Sequence, residues 1–319
     1  MNHLSEKVIS LKGRDLLTLL DYTPEEVQQL LTQALELKQK AKNGEPTPYL
    51  TGKSLGMIFE NASTRTRVSF EVGMTQLGGH ALFLSPKDLQ IGRGEPIKDT
   101  ANVLSRYVDA IMIRTNSHES VEELAHYATV PVINALTDAY HPCQALADAL
   151  TILEKKETLI GKKLAYIGDG NNVCHSLLAI GAKTGMDVTV ATPKGYEVDQ
   201  EIFQRATEAA KETGATLVQT TNPQVAAENA DAIYTDVWAS MGYEAEQSER
   251  EEIFQPYQVN DQLLTLAKKD VSFLHCLPAH RGEEVTASVI DGPHSAIYDQ
   301  AENRLHAQKA VLTALLTGE

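Results

Sequence analysis

Apolar residues recur along this chain in short, nearly unbroken runs, set apart by longer segments of helical period. SLGMIFE (54–60), HALFLSP (80–86), VDAIMIRT (108–115) and VPVINAL (130–136) form one series. KKLAYIGDG (162–170), DVTVATP (187–193), ATLVQT (215–220), DAIYTDV (231–237) and VSFLHCLP (271–278) form a second. A run with no polar alternation predicts a strand covered on both faces, and the helical segments between runs supply the cover. The expected fold class is α/β, with two doubly wound parallel-sheet domains joined by interdomain helices. After the first run, Phe70, Met74 and Leu77 mark one face of a helix. Between the two series, Pro142 suits the first position of a helix and Leu146, Leu150 and Leu153 recur at helical spacing, so this helix is expected to bridge the domains. The polar, acid-rich stretch 241–261 is expected to be a mobile loop or lid.

A length of 319 residues agrees with two domains. Lys and Arg number 28 against 43 Asp and Glu, a net charge of −15 that opposes any general affinity for nucleic acid or an anionic membrane. A bound anion must then be held by a local arrangement of donors. No stretch approaches the roughly 18 apolar residues of a membrane-spanning helix, and the N-terminus reads as neither a signal nor a transit peptide. Cys143, Cys174 and Cys276 are few and far apart, unlike a secreted disulfide framework, so a cytoplasmic location is expected.

Candidate chemistry gathers where strands end. Ser63, Thr64, Arg65, Thr66 and Arg67 follow the first run and open a helix. Hydroxyls, guanidinium forks and a helix N-terminus together suit a phosphate, while the plainer reading is a serine cap followed by solvated arginines. Arg114 and His141 close later runs, where open α/β sheets place ligands, and the pair suits an oxyanion. Gly168–Val173 opens the second series but lacks the third glycine of a dinucleotide fingerprint, so its asparagines are expected to orient a polar amino acid instead. Asp236 is a candidate for binding an amine. His275, Cys276 and His280 leave three readings open: a zinc site, a thiolate nucleophile paired with His275 or His280, and a buried structural cysteine.

Taken in order, STRTR with VSFE, DLQIGRGEPIKDT (88–100), HPCQ, GDGNNV, DVWASMG and HCLPAHRGEEV resemble the aspartate/ornithine transcarbamylase family, from about Leu16 to the C-terminal helix. STRTR and HPCQ belong to the donor side shared by the whole family, and the last two motifs resemble its ornithine-specific branch. The resemblance implies transfer of the carbamoyl group of carbamoyl phosphate to the δ-amine of L-ornithine, giving L-citrulline and phosphate. It implies that Ser63, Thr64, Arg65, Thr66, Gln90, Arg114, His141 and Gln144 bind carbamoyl phosphate, with Cys276, Leu277 and Arg304 completing that site. Asn172, Asp236, Ser240 and Met241 are implied to contact L-ornithine, and Arg114, His141, Asp236 and Cys276 to carry the chemistry. No cofactor, metal, nucleic-acid partner or membrane partner is implied; a homotrimer or a higher assembly of trimers is. The implied carbamoyl-phosphate-binding domain spans 1–150 and is completed by the C-terminal helix over 303–319; the ornithine-binding domain spans 151–302. Putrescine carbamoyltransferase is the near alternative, and a cysteine-dependent hydrolase or amidotransferase the distant one.

Overall fold

A computed structural model describes residues 9–85, 87, 89–90, 94–239 and 247–318. These residues divide into two compact units, one of 9–17, 21–138 and 304–318 and another of 18–20 and 139–303.

The first unit runs through α1 (Pro24–Lys42), β1 (Ser54–Phe59), α2 (Thr64–Gln76), β2 (His80–Leu84), α3 (Ile97–Leu104), β3 (Ala110–Arg114), α4 (His118–Tyr127) and β4 (Val132–Leu136). Among the described residues its sheet is four-stranded and parallel, in the order β2-β1-β3-β4. The chain leaves β1 to one side for β2, then crosses to the other side for β3. That reversal makes the carboxyl ends of β1 and β3 a topological switch point, the place where open α/β sheets bind ligands. Phe70, Met74 and Leu77, the face expected from their spacing, are fully buried, and Ile58, Ile111, Ile113, Leu124 and Val132 pack in one core. The edge strand β2 is different: Leu82 and Phe83 are 40% and 38% exposed, although the run HALFL reads as fully covered.

The second unit runs through α5 (Pro142–Lys156), β5 (Lys163–Ile167), α6 (Asn172–Thr184), β6 (Asp187–Ala191), α7 (Gln200–Ala210), β7 (Leu217–Thr220), α8 (Pro223–Ala227), β8 (Ala232–Tyr234), α9 (Gln247–Phe254), α10 (Asp261–Leu264), β9 (Ser272–Leu274), α11 (Ala287–Ile290) and the start of α12 (Ile297–Thr317). Among the described residues its five strands are parallel in the order β7-β6-β5-β8-β9, so the switch point lies at the ends of β5 and β8. Pro142 does stand in the first turn of α5, and all of α5 groups with this unit, the division falling between Asp138 and Ala139. Buried Asp148 on α5 accepts from Gln144 at 2.7 Å and from Gln300 at 2.7 Å, a polar network inside the unit. Residues 297–303 of α12 count with this unit and the rest of the helix with the first.

The expectation of one mobile loop over 241–261 is corrected. Its later part folds as α9 and a 3-10 turn at Gln255–Tyr257, because Phe254 is fully buried against the rings of Trp238, Tyr196 and Tyr257. A few aromatic anchors in an acidic stretch carry little periodic signal, yet each removes a large apolar surface from water. Residues 241–246 lie outside the described part of the chain. No helix among the described residues is long and apolar enough to cross a membrane.

Candidate active site

In the first unit the candidate residues cluster at the β1/β3 switch point. Ser63 has the extended backbone of an N-cap, and its hydroxyl accepts from the Thr66 amide at 3.2 Å, so the cap reading is realised. The capped first turn of α2 then sets its positive end, half-buried Arg65 and the hydroxyls of Thr64 and Thr66 at the carboxyl edge of the sheet. Arg304 on α12 brings a second guanidinium: 3% exposed, it donates to Thr66 Oγ1 at 3.3 Å and to Gln308 Oε1 at 3.0 Å. Gln308 continues to Ser69 Oγ at 2.7 Å, and Ser69 to the Arg65 carbonyl at 2.5 Å. Ser69 and Gln308 are supports that motif reasoning did not find. Arg67 points elsewhere, bonding Glu71 at 3.3 Å and covering the Phe83 ring at 3.8 Å. Arg114 ends β3 opposite Phe59 of β1 and is 7% exposed. Gln90 is exposed on the loop after β2.

The second unit holds the remaining candidates at the ends of β5, β8 and β9, and at the start of α5. His141 is the buried N-cap of α5; its backbone N–H donates to Ser176 Oγ at 2.7 Å, and Ser176 donates to the Asn172 carbonyl at 2.9 Å. Gln144 is buried, and its Nε2 donates to Asp148 Oδ1 at 2.7 Å. Asn172 is half-buried, with Oδ1 accepting from the Val173 amide at 2.9 Å. Asp236, 6% exposed, takes the Cys276 thiol on Oδ1 at 3.1 Å and the Asn171 amide on Oδ2 at 2.9 Å. Leu277 sits beside them with a φ of 59°, a left-handed conformation that a leucine adopts only where its surroundings impose it. Ser240 and Met241 lie outside the described residues.

What imposes that conformation is a fully buried pair. His275 Nδ1 accepts from the Leu277 amide at 2.9 Å, so its proton is on Nε2, which faces Glu284 Oε1 at 3.0 Å. Glu284 also takes the His280 amide at 2.7 Å, which ties the loop over 275–280 into one piece. Both ring nitrogens of His275 are therefore committed. The ring has no lone pair to take a proton from Cys276, and the thiol donates to Asp236 instead, so the reading of a Cys276 thiolate activated by His275 is corrected. The same commitment weighs on metal binding: Asp236, His275 and Cys276 place ligand atoms within 4.8 Å of one another, but His275 would have to give up a hydrogen bond to join. His280, Glu283 and Glu284 form a second such group. Cys174 is inert by environment, since burial pushes its thiol well above the usual range.

Burial also tunes the surroundings. The Tyr166 hydroxyl is pushed well up, first by burial and then by the nearby Asp236 charge. Burial raises the Asp169 carboxyl even though Arg250 donates to it at 2.7 Å, so desolvation outweighs the ion pair. Arg250 also donates to the Trp238 carbonyl at 2.9 Å, tying the start of α9 to the chain just before residue 240. Asn171, Arg250 and Glu284 stand inside quoted motifs or close after them, but nothing local distinguishes their roles.

Two family descriptions match the chain in order: the carbamoyl-P binding domain of aspartate/ornithine carbamoyltransferase over residues 14–154, and the Asp/Orn binding domain over 160–315. The chain is 99% identical over 319 residues to an ornithine carbamoyltransferase of Halalkalibacterium halodurans, covering 100% of both chains. It is 65% identical over 308 residues to the ornithine carbamoyltransferase of Anoxybacillus flavithermus, covering 97% of this chain and 98% of that one. The solved ornithine carbamoyltransferase of Pyrococcus furiosus superimposes with a TM-score of 0.95 at 60% identity, over 98% of this chain and 100% of its own. Switch-point geometry, ordered motifs and full-length similarity agree, and the chain belongs to the aspartate/ornithine carbamoyltransferase family.

Proposed function

We propose that this chain is a carbamoyltransferase moving the carbamoyl group of carbamoyl phosphate to the δ-amine of L-ornithine, with L-citrulline and phosphate as products. The observation that carries the acceptor is Asp236, a buried carboxylate beside the Cys276 thiol at the end of β8. A carboxylate there attracts an ammonium group and repels the dicarboxylate of aspartate. Full-length identity of 99% to an ornithine carbamoyltransferase supports the same choice.

In this reading Arg65, Arg304 and the N-terminal turn of α2, with Ser63, Thr64 and Gln90, neutralise the phosphate, a leaving group that needs charge stabilisation more than covalent help. Thr66, Arg114 and His141 hold the carbonyl oxygen, and Gln144 and Leu277 complete the donor contacts. The neutral δ-amine attacks the carbonyl carbon, the C–O bond to phosphate breaks, and the proton the amine loses ends on the departing phosphate. Asp236, Asn172, Ser240 and Met241 hold the α-groups of ornithine, while Cys276 orients the amine, with Asp236 acting there through its bond to the Cys276 thiol. Residues 1–150 with 303–319 serve as the donor domain and 151–302 as the acceptor domain. A homotrimer is proposed from the apolar surface of α2 and β2, where Val68 is 50% exposed beside Val72, Leu82 and Phe83. Light scattering is expected to give about three times the 34.9 kDa chain mass, and a monomer mass overturns it. A cytoplasmic role in arginine metabolism completes the proposal; no disulfide joins Cys143, Cys174 and Cys276.

Formation of the ureido product, measured with ornithine, putrescine and aspartate in separate reactions, tests the reading. Ornithine is expected to exceed putrescine by at least about a hundredfold in kcat/KM, because putrescine leaves the groups around the α-carbon without partners. Equal turnover of putrescine, or none with ornithine, overturns it.

A further inference from the structure

Asn171 has no substrate contact in the scheme above, yet its side chain is committed at both ends. Its Oδ1 accepts from the Val173 and Cys174 amides at 3.0 and 3.1 Å, capping α6, and from the Tyr166 hydroxyl at 3.2 Å. Donors converging on one end fix which way the amide faces. Its Nδ2 then donates to Asp236 Oδ2 at 2.9 Å, a contact across 65 residues of sequence. The other Asp236 oxygen takes the Cys276 thiol at 3.1 Å and the Val237 amide at 2.9 Å. A carboxylate offers about four lone-pair sites, so these three donors set its plane and leave roughly one direction for an incoming N–H.

We propose that Asn171 is a positioning residue: by holding Asp236 Oδ2 it aims the carboxylate at the α-ammonium of the amino-acid acceptor, and so sets acceptor affinity without touching the acceptor. The proposal deepens the ornithine reading and rests on it. Capping alone requires only Oδ1, whereas the amide nitrogen donates to Asp236. Asn171→Asp separates these roles. Aspartate caps a helix as well as asparagine does, but replaces the donor with a second carboxylate oxygen facing Asp236.

L-norvaline, which keeps the α-groups of ornithine and lacks the δ-amine, is the probe. Calorimetry on the full chain with saturating carbamoyl phosphate is expected to show norvaline affinity at least tenfold lower in Asn171→Asp. Carbamoyl-phosphate affinity stays within about twofold, measured on a variant shown to be folded by its melting transition. As the pH falls the paired carboxylates share a proton, which restores a donor toward Asp236, so the ratio of variant to wild-type norvaline affinity rises. The other titratable or charged groups around this cluster are Tyr166, Tyr234 and Cys174, all kept protonated by burial, with His275, Cys276, Asp169 and Arg250. Asn171→Ser, which also caps but is too short to reach Asp236, is expected to lose norvaline affinity without the pH recovery, and carries the test if the aspartate variant does not fold. Unchanged norvaline affinity in a folded variant overturns the proposal, as does an equal loss of carbamoyl-phosphate affinity. Citrulline formation by the unaltered chain in the same series keeps the two readings apart: its absence sinks the ornithine assignment, and its presence beside an unaffected variant sinks only the role of Asn171.

Discussion

Replacing Arg250, a residue 5% exposed, by Met removes the guanidinium and leaves a shorter apolar side chain in its place. In the native chain this group donates to Asp169 at 2.7 Å and to the Trp238 carbonyl at 2.9 Å, and lies 4.9 Å from the centre of the Tyr196 ring. Asp169 is largely buried, and burial already raises its carboxyl above the ordinary range with Arg250 present. Without Arg250 the carboxylate is buried and uncompensated, which costs about 3–5 kcal/mol. At about 2–4 °C per kcal/mol for a unit of this size, the melting temperature is expected to fall by about 6–20 °C near neutral pH. The sign of the pH dependence follows from the raised pKa. Below the unfolded value of about 3.9 Asp169 is protonated in both states and the penalty vanishes; as pH rises through the folded value the penalty reaches its full size. The deficit relative to the native chain should therefore shrink on acidification from about pH 7.5 toward about pH 4.5. Asp169→Asn combined with Arg250→Met removes the orphaned charge and should recover part of the loss. Scanning calorimetry of the three proteins at both pH values measures this. A deficit independent of pH, with no recovery in the double variant, would refute the argument that an uncompensated buried carboxylate is the cause. The lost bond to Trp238, two residues before Ser240, should also raise the KM for ornithine more than that for carbamoyl phosphate.

Arg65→Ala is expected to weaken carbamoyl-phosphate binding by about 2–4 kcal/mol, read by calorimetry on a variant shown to be folded, because a charged fork on phosphate is replaced by water. Lys309 on α12 is 1% exposed, bonds Gln76 at 3.0 Å, and has its pKa lowered by burial. Its charged form disfavours the fold up to the unfolded value of about 10.4, so Lys309→Met should raise the melting temperature at pH 7 by about 2–4 °C, with less gain near pH 10; a lower melting temperature contradicts this. Turnover should rise from about pH 6 to pH 8.5 as the δ-amine loses its proton, and Cys276→Ser should slow it without leaving a carbamoyl adduct detectable by mass spectrometry. A flat profile where chemistry limits the rate, or a trapped adduct on Cys276 in the native chain, would count against direct attack by the amine.

Local pattern settled much of this molecule. Nine apolar runs became nine parallel strands, Phe70, Met74 and Leu77 became the buried face of α2, and Pro142 opened α5. These features repeat every two to four residues, so a short stretch of sequence contains all the information they need. Arg65, Arg114, His141, Asp236 and Cys276 were legible as candidates for the same reason: each ends or follows a strand, and strand ends are where parallel sheets expose backbone and side chains to ligands. The α9 helix escaped because one buried phenylalanine in an acidic stretch is not a period. What the tertiary structure alone decided is who meets whom. Strand order made the ends of β1 and β3, and of β5 and β8, into switch points. Arg304 reached Thr66 across 238 residues, Asn171 reached Asp236 across 65, and Cys276 found that same carboxylate while His275 turned both ring nitrogens to Leu277 and Glu284. A hydrogen bond between distant positions leaves no periodic trace in either segment, since its partner is chosen by the packing of whole elements and by the cost of leaving a buried polar group unmatched.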